Sequence, residues 1–147
     1  RPITPAADRL AMVEAAVRGI DGLEASGLEI ERGGLSYTAD TVAELHARHR
    51  DVELFLIVGA DVAADLGTWV RQDELHDAVT IAVVGRAGVT VRGPGPPWRS
   101  VAVEMAALDV SSRDLRSRAA AGRPLDGLVP VAVLEELRER GLYSGPG

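Results

Sequence analysis

Ser111-Ser112-Arg113-Asp114-Leu115-Arg116 is the stretch of this sequence best equipped to hold a phosphate. An apolar strand pattern runs into paired serines, a helix begins there, and Arg116 returns to the same side one turn later. Free N–H groups and the positive end of the helix dipole would face an anion, and a guanidinium adds a charge-assisted bond. The same residues also describe an ordinary helix capped by Ser111, with Asp114 three residues on. A second stretch, Leu54 to Asp61, is an apolar run ending in Gly59-Ala60-Asp61. Gly59 lets a ligand approach the backbone, and Asp61 offers two acceptors suited to sugar hydroxyls. Trp69 follows as one of two tryptophans. Its flat face is a stacking surface, or else it fills core while Asp61 caps a helix. Arg86 ends another apolar run and is a further candidate for the ligand side. His46 and His49 stand three apart, but no neighbouring Cys or ordered carboxylates supply the further ligands that zinc needs, so a helix face accounts for them better.

The elements that must position these groups can be read from periodicity. Leu54–Val58 has the unbroken apolar character of a parallel strand buried on both faces, and Thr80–Val84 is a second such strand reaching Gly85-Arg86. In open α/β sheets ligands bind beyond the carboxyl ends of the strands, which is where Asp61 and Arg86 fall. Thr4-Pro5 predicts a capped helix start, with Leu10, Val13, Val17 and Ile20 on one stripe and a stop near Gly19 to Gly22. Leu28-Glu29-Ile30-Glu31 alternates and predicts a short strand. A polar turn at 35–41 leads into a helix capped by Thr38, with Val42, Leu45, His46 and His49 on one face. Arg71–Leu75 predicts a short polar helix, and the Gly- and Pro-rich 87–100 stretch a loop that Trp98 could pack down. Val101–Val110 predicts a strand in its second half, Ala106–Val110, before the Ser111 helix runs to about Ala121. Pro130 opens a last helix with Leu134 and Leu137 inward, a Glu136–Arg140 pair and a stop at Gly141.

The 147 residues amount to one domain, and the scarcity of aromatics leaves the core to Val, Leu, Ile and Ala. There is no Cys, which removes disulfides and thiol chemistry and fits a reducing, cytoplasmic setting. No apolar stretch approaches the roughly 18 residues of a membrane span. The net charge of −6 argues against nucleic-acid binding. Its distribution is uneven: residues 86–123 carry 7 Arg against 3 acids, while residues 1–85 carry 7 Arg against 15 acids. A local basic segment in an acidic chain favours a small anionic ligand.

Taken in order, the motifs resemble the bacterial nicotinate-nucleotide adenylyltransferases of the nucleotidyltransferase superfamily. The resemblance rests on Asp8-Arg9-Leu10-Ala11-Met12-Val13, Ser36-Tyr37-Thr38-Ala39-Asp40-Thr41, and Gly59-Ala60-Asp61 with Thr68-Trp69. It continues through Val110-Ser111-Ser112-Arg113-Asp114-Leu115-Arg116 and the closing Leu128-Val129-Pro130 to Gly141-Leu142-Tyr143. It implies an α/β fold, a Rossmann-like three-layer parallel sheet with helices on both faces, in a single domain over 1–147. It also implies AMP transfer from ATP to nicotinate mononucleotide in NAD biosynthesis, giving deamido-NAD and pyrophosphate, with Mg²⁺ bound through the ATP phosphates. Trp69 would stack on the nicotinate ring, backbone N–H groups near Thr38 and Val70 would receive its carboxylate, and Tyr37 would be a further substrate-binding residue. Gly59 and Asp61 would hold the ATP ribose side. Ser111, Ser112 and Arg116 would hold the triphosphate, with Arg86 nearby. A homo-oligomer is left open.

Two departures from the family pattern stand out. The last position of the usual Ser-Ser-Thr triplet is Arg113, which exchanges a hydroxyl for a charge. The HxGH pair that grips the ATP phosphates in the family, and the first strands around it, have no counterpart in the sequence, which opens on Arg1-Pro2. The chain therefore matches the carboxyl-terminal three quarters of the family domain, and is expected to be inactive alone. A sister enzyme such as phosphopantetheine adenylyltransferase, and a non-catalytic nucleotide-binding module, are the alternatives.

Overall fold

A computed structural model describes residues 3–86, 93–106 and 110–144. The elements are α1 (Ala6–Val17), α2 (Leu28–Arg32), α3 (Thr38–Arg48), β1 (Leu54–Gly59), α4 (Ala60–Asp65), α5 (Asp73–His76), β2 (Val79–Arg86), β3 (Ser100–Met105), α6 (Ser112–Ala120) and α7 (Val131–Glu139). A 3-10 turn at Leu66–Thr68 lies between α4 and α5. Two compact units result: residues 34–108 hold the sheet, and residues 1–33 with 109–147 hold α1, α2, α6 and α7.

The sheet unit is built around parallel strands in the order β1-β2-β3. Register pairs Leu54 with Val79, Leu56 with Ile81 and Val58 with Val83, so one face of the sheet is a continuous aliphatic surface. Ala39 and Val42 of α3, Ala63 of α4, Leu66, Leu75 of α5 and Trp98 bury that face. Trp98 does hold down its end of the 87–100 segment, its ring meeting the edge of His76 at 4.4 Å. Residues 87–92 of that segment lie outside the described residues.

The opposite face decides how β1 differs from expectation. Phe55 and Ile57 point that way, and Ile57 is 71% exposed. β1 is an edge strand of this sheet, and its apolar run is covered by the packed helices on one face, where Val58 is buried, and open on the other. Only β2, flanked on both sides, shows the two-sided burial that its sequence predicts, with Thr80 and Ala82 covered as well. The third strand is also shifted: it occupies Ser100–Met105, and residues 107–109 of the predicted Ala106–Val110 lie outside the described residues. Its in-register partners on β2 begin at Ile81, which fixes the pairing one segment earlier.

In the helical unit, Leu28–Arg32 is a helix and not a strand. The Ser26 hydroxyl accepts the Leu28 N–H at 3.3 Å, and Gly33 ends the turn at φ +68°. Acidic residues sit in its first turn and Arg32 in its last, where the helix dipole favours each. Only Leu28 of the alternating pair is buried; Ile30 is exposed. The stripe predicted for α1 is displaced too. Ala11 and Ala15 are its buried residues, whereas Val13 and Ile20 face solvent. Small residues there allow α7 to approach closely, and α1 packs on α7.

Caps account for three further corrections. Pro5, not Thr4, is the N-cap of α1, because the Thr4 hydroxyl donates to the Tyr143 hydroxyl at 2.8 Å. Tyr37 is the N-cap of α3, which makes Thr38 its first helical residue rather than its cap. Pro130 is the N-cap of α7, with Leu134 buried and Leu137 half-buried as expected. The predicted Ser111 cap is present: its Oγ accepts the Asp114 N–H at 3.1 Å.

Candidate functional site

All three strands run the same way, so Gly59, Arg86 and Met105 mark one end of the sheet. β1 passes straight into α4 with Gly59 as N-cap and Asp61 in the first helical turn. A Cβ on Gly59 would lie 2.7 Å from the Asp61 Oδ1, so the carboxylate occupies the space that a side chain at 59 would fill. Asp61 does not cap α4 through its side chain and is exposed, leaving its oxygens toward solvent at the strand end. The Arg86 backbone continues β2 to the same end, opposite Met105; its side chain lies outside the described residues.

After α4 the chain tightens through Leu66–Thr68. Leu66 is fully buried, the Thr68 hydroxyl donates to the Asp65 carbonyl at 2.8 Å, and the Trp69 N–H donates to the Leu66 carbonyl at 3.1 Å. Trp69 is therefore anchored by backbone and packs against the core while remaining half-buried. A ring in that state keeps one portion available for stacking. Val70 is exposed, and Arg71 then takes φ +57°. For a residue with a Cβ that region costs about 1–2 kcal/mol, so something must hold the turn. Arg71 Nε and Nη2 each donate to a Glu74 carboxylate oxygen at 2.7 Å, and Nη1 donates to Asp40 Oδ1. The Glu74 and Asp40 bonds raise the guanidinium pKa further, and Arg71 holds the Glu74 carboxyl below its ordinary range. Asp40 belongs to the first turn of α3. The Asp40 and Thr41 N–H groups reach back to the Tyr37 carbonyl, so the N–H groups of Thr38 and Ala39 are the ones that a helix start leaves without helical acceptors. Tyr37 itself is exposed.

His46, one of the paired histidines, bonds through Nε2 to the Ala78 carbonyl at 2.9 Å, while His49 lies just past the end of α3 in the open. Among the described residues no three His, Asp or Glu side chains gather as a metal site.

The helical unit contributes the phosphate-suited residues. Ser111 Oγ accepts the Asp114 N–H and donates to Asp114 Oδ2 at 2.6 Å. That hydroxyl is already engaged in capping, so what this helix start offers an anion is its backbone N–H groups, the exposed Ser112 and Arg116. Arg116 lines a cavity of about 730 Å³ together with Arg113, Arg9, Thr4 and Tyr143. Among the described residues no carboxylate lines it. Arg9 is steadied by donating to the Thr4 carbonyl at 2.5 Å, and Thr4 by its bond to Tyr143. Arg116 also borders a smaller cavity of about 200 Å³, mostly apolar, lined by Met12, Leu115, Leu125, Val133 and Leu137 among others. Sequence reasoning did not assign Arg9 to this group. Its presence in the Asp8–Val13 motif, 104 positions before Arg113, was the available signal.

The fold and these motifs have counterparts among known proteins. The cytidylyltransferase-like family model matches residues 1–118. A probable nicotinate-nucleotide adenylyltransferase of Exiguobacterium sibiricum is 40% identical over 142 residues, which cover 97% of this chain and 75% of that protein. This chain belongs to the nicotinate-nucleotide adenylyltransferase family. Another member, from Corynebacterium kroppenstedtii, is 38% identical across 100% of this chain and 71% of its own length. The adenylyltransferase from Streptomyces coelicolor shares 38% identity over 99% of this chain and 78% of its own length. Among solved structures, a Plasmodium falciparum nicotinic acid mononucleotide adenylyltransferase complexed with NaAD superposes with a TM-score of 0.74. It has 13% sequence identity and covers 97% of this chain and 76% of that one, which establishes the shared Rossmann-like α/β fold. The chain thus spans about three quarters of these family members, as its motifs imply.

Proposed function

We propose that this chain carries the mononucleotide-binding and phosphate-binding residues of an enzyme that transfers AMP from ATP to nicotinate mononucleotide, giving deamido-NAD and pyrophosphate. The observation that carries this reading is the 40% identity to a probable nicotinate-nucleotide adenylyltransferase along 97% of the chain. The family match crosses both units, which supports reading 1–147 as one nucleotidyltransferase-like domain.

In the sheet unit, the half-buried Trp69 stacks on the nicotinate ring, N–H groups at Thr38 and Val70 receive its carboxylate, and the exposed Tyr37 is a further substrate-binding residue. The Gly59 backbone and the Asp61 carboxylate that lies over it take the ribose hydroxyls of ATP. In the helical unit, Arg116 and the α6 N–H groups near Ser111 and Ser112 bind the triphosphate. Arg9 and Arg113 reinforce them from the same cavity, so the charge gained at 113 replaces the lost hydroxyl with a stronger anion donor. Arg86, at the end of β2, is a further contact to the phosphates.

The chemistry asks little covalent help from the protein. A phosphate oxygen of the mononucleotide attacks the α-phosphorus of ATP in line, the bond to the β-phosphate oxygen breaks, and pyrophosphate leaves with that electron pair. Positioning and neutralisation of the leaving charge supply the catalysis. Guanidinium groups suit that task because they stay charged and bond phosphate oxygens in pairs. Among the described residues the cavity lining is guanidinium-rich and has no carboxylate, a set suited to gripping phosphate oxygens rather than to holding a divalent ion by itself. Mg²⁺ would arrive on the triphosphate and add charge neutralisation there. Among the described residues no helix is long and apolar enough to cross a membrane; a reaction between soluble nucleotides and a sequence without Cys both suit a cytoplasmic setting.

Isothermal titration of the 147-residue chain tests the reading. Nicotinate mononucleotide should bind, and Trp69→Ala should weaken it by about 1–3 kcal/mol, by analogy with base–aromatic stacking. Equal affinity in the two proteins would remove Trp69 from the site. Binding of phosphopantetheine in preference to the nicotinate nucleotide would overturn the substrate assignment.

A further inference from the structure

We infer that Arg71 is a positioning residue for the recognition of a pyridine carboxylate: by binding Glu74 and Asp40 together it fixes the Val70 N–H relative to the first-turn N–H groups of α3. The inference rests on the proposed nicotinate mononucleotide site and adds to it the group that sets its acid selectivity.

The position is unusual in requiring φ +57° of an arginine. Glycine would meet that backbone demand with no steric cost, so the conformation does not explain the side chain. The guanidinium does. Two of its nitrogens grip Glu74, at the start of the helix that follows the Trp69–Val70 segment, each at 2.7 Å. Its third nitrogen reaches Asp40, 31 residues earlier in the chain. Asp40 is the third residue of α3, directly after Thr38 and Ala39. One planar group therefore links the segment that carries the exposed Val70 to the helix turn that carries the unpaired N–H groups. Its fork fixes direction as well as distance, which an ammonium would not do.

The consequence is chemical. A carboxylate offers acceptors on both oxygens, so it can take N–H donors from two directions at once. A carboxamide offers one carbonyl and turns an NH₂ toward the other donor. Selection of the acid over the amide then depends on both donors being held in place, and in this chain the two segments are joined at Arg71. Nicotinamide mononucleotide gains much less from the rigid arrangement.

Titration calorimetry on the full chain separates the possibilities. Arg71→Ala and Arg71→Gly should each weaken nicotinate mononucleotide about tenfold, leave ATP affinity unchanged and lower the preference over nicotinamide mononucleotide, Arg71→Gly doing so without a loss of Tm because it relieves the backbone. Asp40→Asn should repeat the effect, and Arg71→Lys should restore part of the affinity. Arg71→Gly relieves the backbone while removing the guanidinium, so wild-type affinity in that variant would overturn the inference. An equal loss for both mononucleotides would also overturn it, as the sign of general loosening. If the unmodified chain bound no nicotinate mononucleotide, the site reading would fail first and the inference with it; binding unaffected by any of these variants would sink the inference alone.

Discussion

The two compact units of this protein each contain an arginine shared by two carboxylates, yet the two pairs serve different frames. In the sheet unit Arg71 binds Glu74 and Asp40; in the helical unit Arg140 of α7 binds Glu136 and, across 132 positions, Asp8 of α1. The sheet unit holds an aliphatic core, with Leu66, Leu75, Val79, Ile81 and Val83 the largest fully buried side chains among the described residues. In the helical unit the buried set is lighter, with Ala11, Ala15, Leu28, Leu125, Val133 and Leu134. A parallel sheet covered on one face is a rigid platform, so its arginine is free to trim a loop beside a ligand. Packed helices with a thinner core use their arginine as a brace between α1 and α7. The same ion-pair chemistry is thus functional in one unit and structural in the other.

The largest effects should come from the cores. Ile81→Ala, at the centre of the sheet, should destabilise by about 2–5 kcal/mol in chemical denaturation, and Leu134→Ala in α7 should fall near the lower end of that range. Equal losses would erase the contrast in core quality. Next comes the cavity: Arg116→Ala should weaken tripolyphosphate by about 1.5–3 kcal/mol, while Trp69→Ala leaves that affinity untouched. Arg140→Ala should lower Tm slightly without changing either ligand affinity, the reverse of the pattern expected for Arg71.

The smallest effect is a pH response. Glu74 is held below its ordinary value near 4.5, first by its hydrogen bond to Arg71. A depressed carboxyl contributes fully above the unfolded value and loses that contribution as pH falls through the folded one. The Glu74 contribution to stability should therefore be complete above the ordinary carboxyl value and be lost as pH falls below it, and Glu74→Gln should remove that acid-side loss when unfolding is followed against pH.

Much of the architecture was legible from residue pattern. β1 and β2 are continuous apolar runs, and their parallel pairing follows from that composition. The Ser111 cap, the Pro130 helix start and the Glu136–Arg140 pair, Nε to Oε2 at 2.7 Å, rest on neighbours a few residues apart. Departures arose where a distant partner or a tight local turn overrode the pattern. Thr4 matches a capping sequence but is taken by Tyr143, 139 positions away. Leu28–Glu31 alternates like a strand but closes a helical turn between glycines. Arg71 read as part of a polar helix, since nothing local announces Asp40 as its partner.

Short motifs and periodicities therefore carried this protein's fold class and, through the resemblance of its motifs, its family; the strand-end and helix-start residues proposed for a nucleotide were named from the same local patterns. Which face of β1 lies open, which arginines share a cavity and which one ties Val70 to α3 were decided only in three dimensions. Those outcomes depend on contacts between residues far apart in the chain, and no local pattern encodes them.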